Sequence, residues 1–80
     1  MEDHEIITQI GSLADEEKHL EERHVGAGLS PDEEKRLRTL EVTLDQMWDL
    51  LRQRRALRDA GRSPDEAVLR PEGTVEGYRQ

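Results

Sequence analysis

Apolar residues recur at intervals of three and four along two stretches of this chain. In the longer stretch, between Ser30 and Arg58, they are Leu37, Leu40, Leu44, Met47 and Leu51. In the shorter stretch, they are Ile6, Ile10, Leu13 and Leu20. This spacing places one apolar stripe on each of two helices. The glycine-rich segment at 25–29 between them predicts a turn, so the pattern favours an all-α fold, an antiparallel two-helix hairpin with coiled-coil-like packing.

The two stripes match when facing residue numbers add up to 57. Ile6 then faces Leu51, and Ile10 faces Met47. The same register sets the acidic start of the first helix beside the basic end of the second, pairing Glu2, Asp3 and Glu5 with Arg55, Arg54 and Arg52. Because the apolar and charged patterns agree in one register, the hairpin interpretation is internally consistent.

The hairpin is predicted to occupy residues 1–61, with helices over about 3–24 and 31–60. Ser30 is the predicted N-cap of the second helix, Pro31 its first residue and Glu33 the partner in a capping box. Gly61 suits the left-handed position that ends a helix. In the remaining region, 62–80, Ser63 and Pro64 repeat the capping pattern and predict a short helix over about 64–69, followed by a tail that is either docked or disordered.

Length and charge restrict the class of protein. A chain of 80 residues without cysteine forms one small domain that no disulfide can stabilise. The acidic N-terminus and the absence of a long apolar run predict a cytoplasmic protein with no membrane contact. The net charge is −7, but residues 52–62 alone carry +4, which leaves −11 for the rest of the chain. Most of the surface should therefore repel nucleic acid.

Several apolar side chains fall outside the paired stripes. A tryptophan with aliphatic neighbours is not expected to stay in water, because burying such a ring is worth about 2–3 kcal/mol. Either a second copy, giving a four-helix bundle, or the tail, folding back so that Val75 and Tyr78 reach the ring, could cover it. We favour the homodimer, to which the tail can also contribute, and we expect contacts to an unknown protein partner. The expected contact residues are Ile7, Trp48, Leu50, Leu57, Val75 and Tyr78.

The side-chain inventory favours a protein without enzymatic activity and without a cofactor. No serine or threonine has a plausible catalytic base, and no glycine pattern follows a strand to hold a phosphate. The first helix contains two Glu-x-x-His spacings, a pattern found in metal-binding bundles. One alternative is therefore a metal site built from Glu17, His24 and Glu41 in a dimer. A second alternative is weak nucleic-acid binding through the arginines from Arg52 to Arg62.

Two segments resemble a known family. They are Leu40-Glu41-Val42-Thr43-Leu44-Asp45-Gln46-Met47-Trp48-Asp49-Leu50-Leu51-Arg52-Gln53-Arg54-Arg55-Ala56 and the tail Val75-Glu76-Gly77-Tyr78. Together with residues 15–17 and Arg23-His24, they are similar to a family of small acidic actinobacterial proteins that is defined only as a domain of unknown function. The resemblance covers essentially the whole chain and implies a bacterial cytosolic origin. It implies no activity, ligand or site, so the biological role stays unknown at this stage.

Overall fold

Two long helices form because each carries a continuous apolar stripe and a defined start. In the computed structural model, which describes the backbone of residues 1–75 and the side chains of 1–23 and 28–73, α1 spans Asp3–Ala27 and α2 spans Pro31–Asp59. Ser30 accepts a hydrogen bond from the Glu33 amide at 3.2 Å, and the Glu33 carboxylate accepts one from the Ser30 amide at 3.0 Å. The capping box that begins α2 is therefore formed.

The turn between the helices is shorter than the sequence suggests. We expected α1 to end near residue 24, but it continues through the glycine at position 26 to Ala27. One glycine in a last helical turn costs only about 1 kcal/mol. At the turn, Gly28 adopts the left-handed conformation, with φ 75°, and redirects the chain into α2.

The two helices pack antiparallel along their apolar stripes. Their main core cluster joins the N-terminal half of α1 to the C-terminal half of α2 and consists of Ile6, Ile10, Leu44, Met47, Leu50 and Leu51. Leu20 and Leu40 are also buried. The predicted pairing of Asp3 with Arg54 is confirmed, with 2.6 Å between the Asp3 carboxylate and the Arg54 Nε atom. Glu2 also approaches Arg54, at 3.9 Å, where the sequence register had placed Arg55.

After α2, the chain reverses and returns along the same helix. Gly61 has φ 75°, and the Arg62 amide donates to the Leu57 carbonyl at 2.8 Å, which closes the end of α2. The short helix expected over 64–69 is wrong in its extent, because only Pro64–Glu66 form a single 3-10 turn. Residues 67–71 are non-helical, and α3 spans Glu72–Val75. Both the 3-10 turn and α3 pack against α2.

The fold is thus all-helical in its regular elements across residues 1–75, with the C-terminal part docked on α2. No helix among these residues has the length and apolar character needed to cross a bilayer. Whether residues 76–80 are docked or disordered lies outside the described residues.

The buried leucine at position 40 tests this packing. Leu40 is fully buried, so we expect Leu40→Ala to lower the free energy of unfolding by about 2–5 kcal/mol through lost contacts and a residual cavity. Leu69→Ala removes the same atoms from a half-exposed side chain and should cost less than about 1 kcal/mol. Urea denaturation followed by circular dichroism measures both. Equal losses for the two variants would contradict the core described here.

Candidate interaction surface

The apolar residues expected to contact a partner divide into covered and exposed ones. Ile7 lies on α1 with 55% of its side chain exposed, and Trp48 is half-buried where it packs against the core cluster. Leu57 is also half-buried. The side chains of Val75 and Tyr78 lie outside the described residues. Among the expected contact residues whose side chains the structure describes, only Ile7 is therefore more than half exposed.

Leu50 needs no external partner. We expected it on an uncovered flank of the hairpin, but only 8% of it is exposed and it belongs to the core cluster. Ala67, from the chain that returns after α2, packs against the same cluster. The C-terminal region therefore covers the apolar flank that the sequence analysis had assigned to a partner.

The returning chain is held on α2 mainly through polar contacts. We call residues 63–70 the strap. Gln53 donates to the Val68 carbonyl at 2.7 Å and accepts from the Val68 amide at 3.3 Å. Gln46, seven residues earlier on the same face of α2, donates to the Arg70 carbonyl at 3.2 Å. Because Gln53 binds both backbone groups of Val68, those groups are satisfied without a helix at this position.

The strap presents two apolar side chains to solvent. Val68 is 63% exposed and Leu69 is 53% exposed. Neither exposure is evident from the sequence, because the capping pattern at Ser63 predicts a short helix over these residues. The strap is thus fixed by its backbone and by one small apolar side chain, Ala67, rather than by burying its largest residues.

A buried ion pair anchors the end of the strap. Asp49 is completely buried on α2, and its two carboxylate oxygens accept hydrogen bonds from Nε and Nη2 of Arg70. Gln53 donates a further hydrogen bond to Asp49 at 2.9 Å. A buried carboxylate requires such partners because desolvation strongly disfavours an unpaired charge. The docked strap therefore supplies two of the hydrogen bonds that this buried carboxylate accepts.

A second buried charge joins three segments at the other end of the strap. Arg54 is buried on α2 and donates to Asp3 of α1 at 2.6 Å. Its Nη1 atom donates to the Pro64 carbonyl at 3.2 Å and to Asp65 at 3.1 Å. Arg58 adds a hydrogen bond to Asp3 at 2.8 Å. One guanidinium group thus connects the start of α1, the end of α2 and the strap.

These contacts shift protonation equilibria in the expected directions. The hydrogen bond from Arg54 lowers the pKa of Asp3, and the hydrogen bond to Asp3 raises the pKa of Arg54. At the other end of the hairpin, Arg36 donates to Glu16 and lowers the pKa of that carboxyl. The paired carboxylates therefore stay charged to lower pH than they would in an unfolded chain.

Two of the three residues considered for a metal site, Glu17 and Glu41, have side chains that the structure describes. Glu17 and Glu41 are half-buried on different helices, and the side chain of His24 lies outside the described residues. Among the side chains that are described, no group of three histidine, cysteine or acidic residues has a spacing suited to a metal ion. The metal alternative in a dimer thus receives no support from a single chain.

The structure divides the basic cluster of the second helix. Arg54 is buried and Arg58 pairs with Asp3, so neither is presented for binding a nucleic acid. Arg62 pairs with Glu66 on the strap. Arg52 and Arg55 are exposed on α2. Most of the positive charge in this cluster therefore serves to hold the fold together.

Asp3 makes the stability of the hairpin dependent on pH. Because its pKa is lowered in the folded state from the ordinary value of 3.8, it stabilises the fold above that pH and loses this effect as the pH falls through the lower, folded-state value. Asp3→Asn should therefore lower the urea midpoint at neutral pH, and the difference from the parent should shrink below about pH 4. Asp15→Asn, at an exposed position of α1, is the control. A difference that persists unchanged at pH 2–3 would contradict this role.

The ion pair between Asp49 and Arg70 can be tested with a double-mutant cycle. Arg70→Met removes both hydrogen bonds that Arg70 donates to the buried Asp49. We expect the free energy of unfolding to fall by about 2–4 kcal/mol, less than for a fully buried pair because 38% of the Arg70 side chain is exposed. The double variant Asp49→Leu with Arg70→Met should recover most of that loss, and Arg38→Met at an exposed site of α2 should change little.

Urea denaturation and hydrogen exchange at the Val68 amide measure the two effects. Arg70→Met should increase the exchange of that amide because the strap detaches. Parent-like stability and exchange in Arg70→Met would show that the pair does not anchor the strap.

Comparison with known proteins identifies the family. Residues 2–80 match the family model described as protein of unknown function (DUF2630). The chain is 52% identical over 77 residues to uncharacterized protein Rv0898c of Mycobacterium tuberculosis and to uncharacterized protein Mb0922c of Mycobacterium bovis, covering 95% of this chain and 88% of each relative. No solved structure shows significant similarity. These relatives agree with the actinobacterial family that the sequence resembles, and the chain belongs to the DUF2630 family of proteins of unknown function.

Proposed function

We propose that this protein is a non-enzymatic interaction module of the cytoplasm that forms a homodimer through one face of α1. We call this surface the Ile7 face and define it by Ile7, Gly11 and Ala14 of α1 together with Trp48 of α2. The observation that carries the proposal is the exposure of Ile7, which is 55% exposed although it lies on a helix whose neighbouring isoleucines, Ile6 and Ile10, are buried.

The shape of this face suits another helix. Residues 7, 11 and 14 are separated by four and three positions, so they lie along one stripe of α1. A side chain added at Gly11 would meet no other group within 4 Å in the described structure, so a second backbone has room to approach there. Ala14 and Trp48 are half-buried and provide apolar surface beside the stripe.

A second copy is the occupant that the size of the chain favours. A hairpin of 80 residues without cysteine has a thin core, and self-association buries further apolar area without new sequence. Contact of one Ile7 face with another would give a two-fold symmetric four-helix bundle. Each copy carries −7, so like charges oppose this contact and added salt should favour it.

Light scattering coupled to size exclusion tests the proposal. We expect a mass of about 18 kDa, twice the 9.2 kDa of one chain, at micromolar concentration and moderate salt. Ile7→Glu should give the single-chain mass because it places a charge in the contact. Leu69→Glu introduces the same charge at an exposed leucine of the strap and should leave the mass at twice the single chain.

Two outcomes would contradict this assignment. A single-chain mass for the parent protein at every salt concentration would exclude the dimer. Dissociation by Leu69→Glu but not by Ile7→Glu would move the contact to the strap. Circular dichroism of both variants shows whether the helices remain formed, so that unfolding is not mistaken for dissociation.

A further inference from the structure

A groove with three arginines lies between the C-terminal half of α2 and the strap. Its volume is about 450 Å³, which is within the range of small-molecule sites. The side chains that line it are Arg52, Gln53, Arg55, Ala56, Asp59 and Arg70. The groove is thus a local concentration of positive charge on a protein whose net charge is −7.

One arginine of this groove, Arg55, differs from those that hold the fold. Arg54, Arg58 and Arg62 bind the carboxylates of Asp3, Asp65 and Glu66. Arg55 is exposed and takes part in none of the ion pairs found among the described side chains. Its position is therefore not explained by the contacts that account for Arg54, Arg58 and Arg62.

Arg70 is held in a defined orientation on one wall of the groove. Its Nε and Nη2 atoms bind Asp49, which is fully buried, while 38% of the Arg70 side chain stays exposed. A guanidinium group fixed from behind by a buried carboxylate loses little conformational freedom when it binds a ligand. Arg70 is in this sense positioned before any ligand arrives.

We propose that this groove binds a small phosphate-type anion, such as the phosphoryl group of a phosphomonoester. Guanidinium groups match the geometry of phosphate oxygens, and the three terminal oxygens of a phosphoryl group accept more hydrogen bonds than a carboxylate can. Arg52 and Arg55 lie one turn apart on α2, with Arg70 across from them on the strap, and the small side chain of Ala56 leaves space between them.

The charge around the groove selects against long polyanions. Asp59 lies about one turn beyond Arg55 and repels a second phosphate at that end. The rest of the surface is acidic, so an extended nucleic acid would have to cross a repulsive potential, whereas a small anion needs only the groove. The groove therefore suits a ligand with a single phosphate group better than the nucleic acid that the arginine-rich sequence suggests as an alternative.

Titration of the full-length, isotope-labelled chain with inorganic phosphate tests the site. The arginine Nε–Hε resonances report binding directly, and sodium chloride at matched ionic strength corrects for general salt effects. We expect saturable shifts at Arg52, Arg55 and Arg70 in the millimolar range. O-phosphoserine should bind at least as tightly as inorganic phosphate if the natural ligand is a phosphomonoester, and more weakly if it is the free ion.

Matched variants make the test specific. Arg55→Gln should weaken binding by at least about fivefold, because it removes a charged hydrogen-bond donor from an exposed position without disturbing the core. Arg38→Gln changes an exposed arginine on another part of α2 and should bind phosphate as the parent does. Unchanged backbone spectra confirm that both variants are folded.

Three results would overturn the proposal. The first is a linear, unsaturated shift that is equally large at Arg38 and Arg55. The second is parent-like affinity in Arg55→Gln. The third is an oligonucleotide that binds more tightly than either phosphate probe at the same ionic strength. Because the groove lies on α2 and the strap, a failure here would not affect the dimer proposed through α1.

Discussion

The buried ion pair between Asp49 and Arg70 is the interaction on which the C-terminal half of this structure depends. Asp49 has no exposed surface, and a carboxylate in that position is tolerated only with a cation and further donors nearby. Arg70 and Gln53 supply them. The chain after α2 must therefore return along the helix, and in doing so it brings Ala67 against the core and covers the flank where Leu50 lies.

Buried ion pairs contribute little net stability. The role of the pair of Asp49 with Arg70 is therefore to select one docked position for the strap. An apolar pair of similar volume at the same two positions would hold the strap about as well or better. What the charged pair adds is a single alignment, because the docking of Arg70 on Asp49 fixes where Val68 meets Gln53. Arg54 does the same at the other end by binding both Asp3 and Asp65. The strap is thus aligned by charge at both ends.

The sequence was sufficient to predict the hairpin because its signals are local and repetitive. The stripe through Leu40 and Leu44 and the cap at Ser30 each depend on residues three or four positions apart, and the structure contains both. The strap could not be predicted in this way. Its decisive contacts join residues 10–24 positions apart, such as Arg54 with Pro64 and Gln46 with Arg70, and no periodicity marks them.

The short helix predicted over 64–69 is too long for the same reason: contacts between residues distant in the sequence decide where it ends. Ser63 and Pro64 do start a helical turn, as their pattern indicated, and Ser63 accepts the expected hydrogen bond from the Asp65 amide. The turn stops because Gln53 offers the Val68 backbone both a donor and an acceptor. Two buried charges on α2 could have suggested this outcome, since Asp49 and Arg54 fall within a segment where every third or fourth residue is apolar. A charge that is buried on such a helix needs a partner, and here the partners of Asp49 and Arg54 include residues of the strap.

A strap held by directional polar contacts has a consequence for dynamics. Its largest apolar side chains, Val68 and Leu69, gain little from docking, so the free energy of local opening should lie below that of the hairpin. Opening would remove Arg70 from the groove that it shares with Arg52 and Arg55. Any anion bound in that groove therefore stabilises the docked strap by mass action, and the docked strap in turn completes the groove. The Ile7 face consists of α1 residues and Trp48 and shares no residue with the strap or the groove, so self-association and strap docking can vary independently in one small chain.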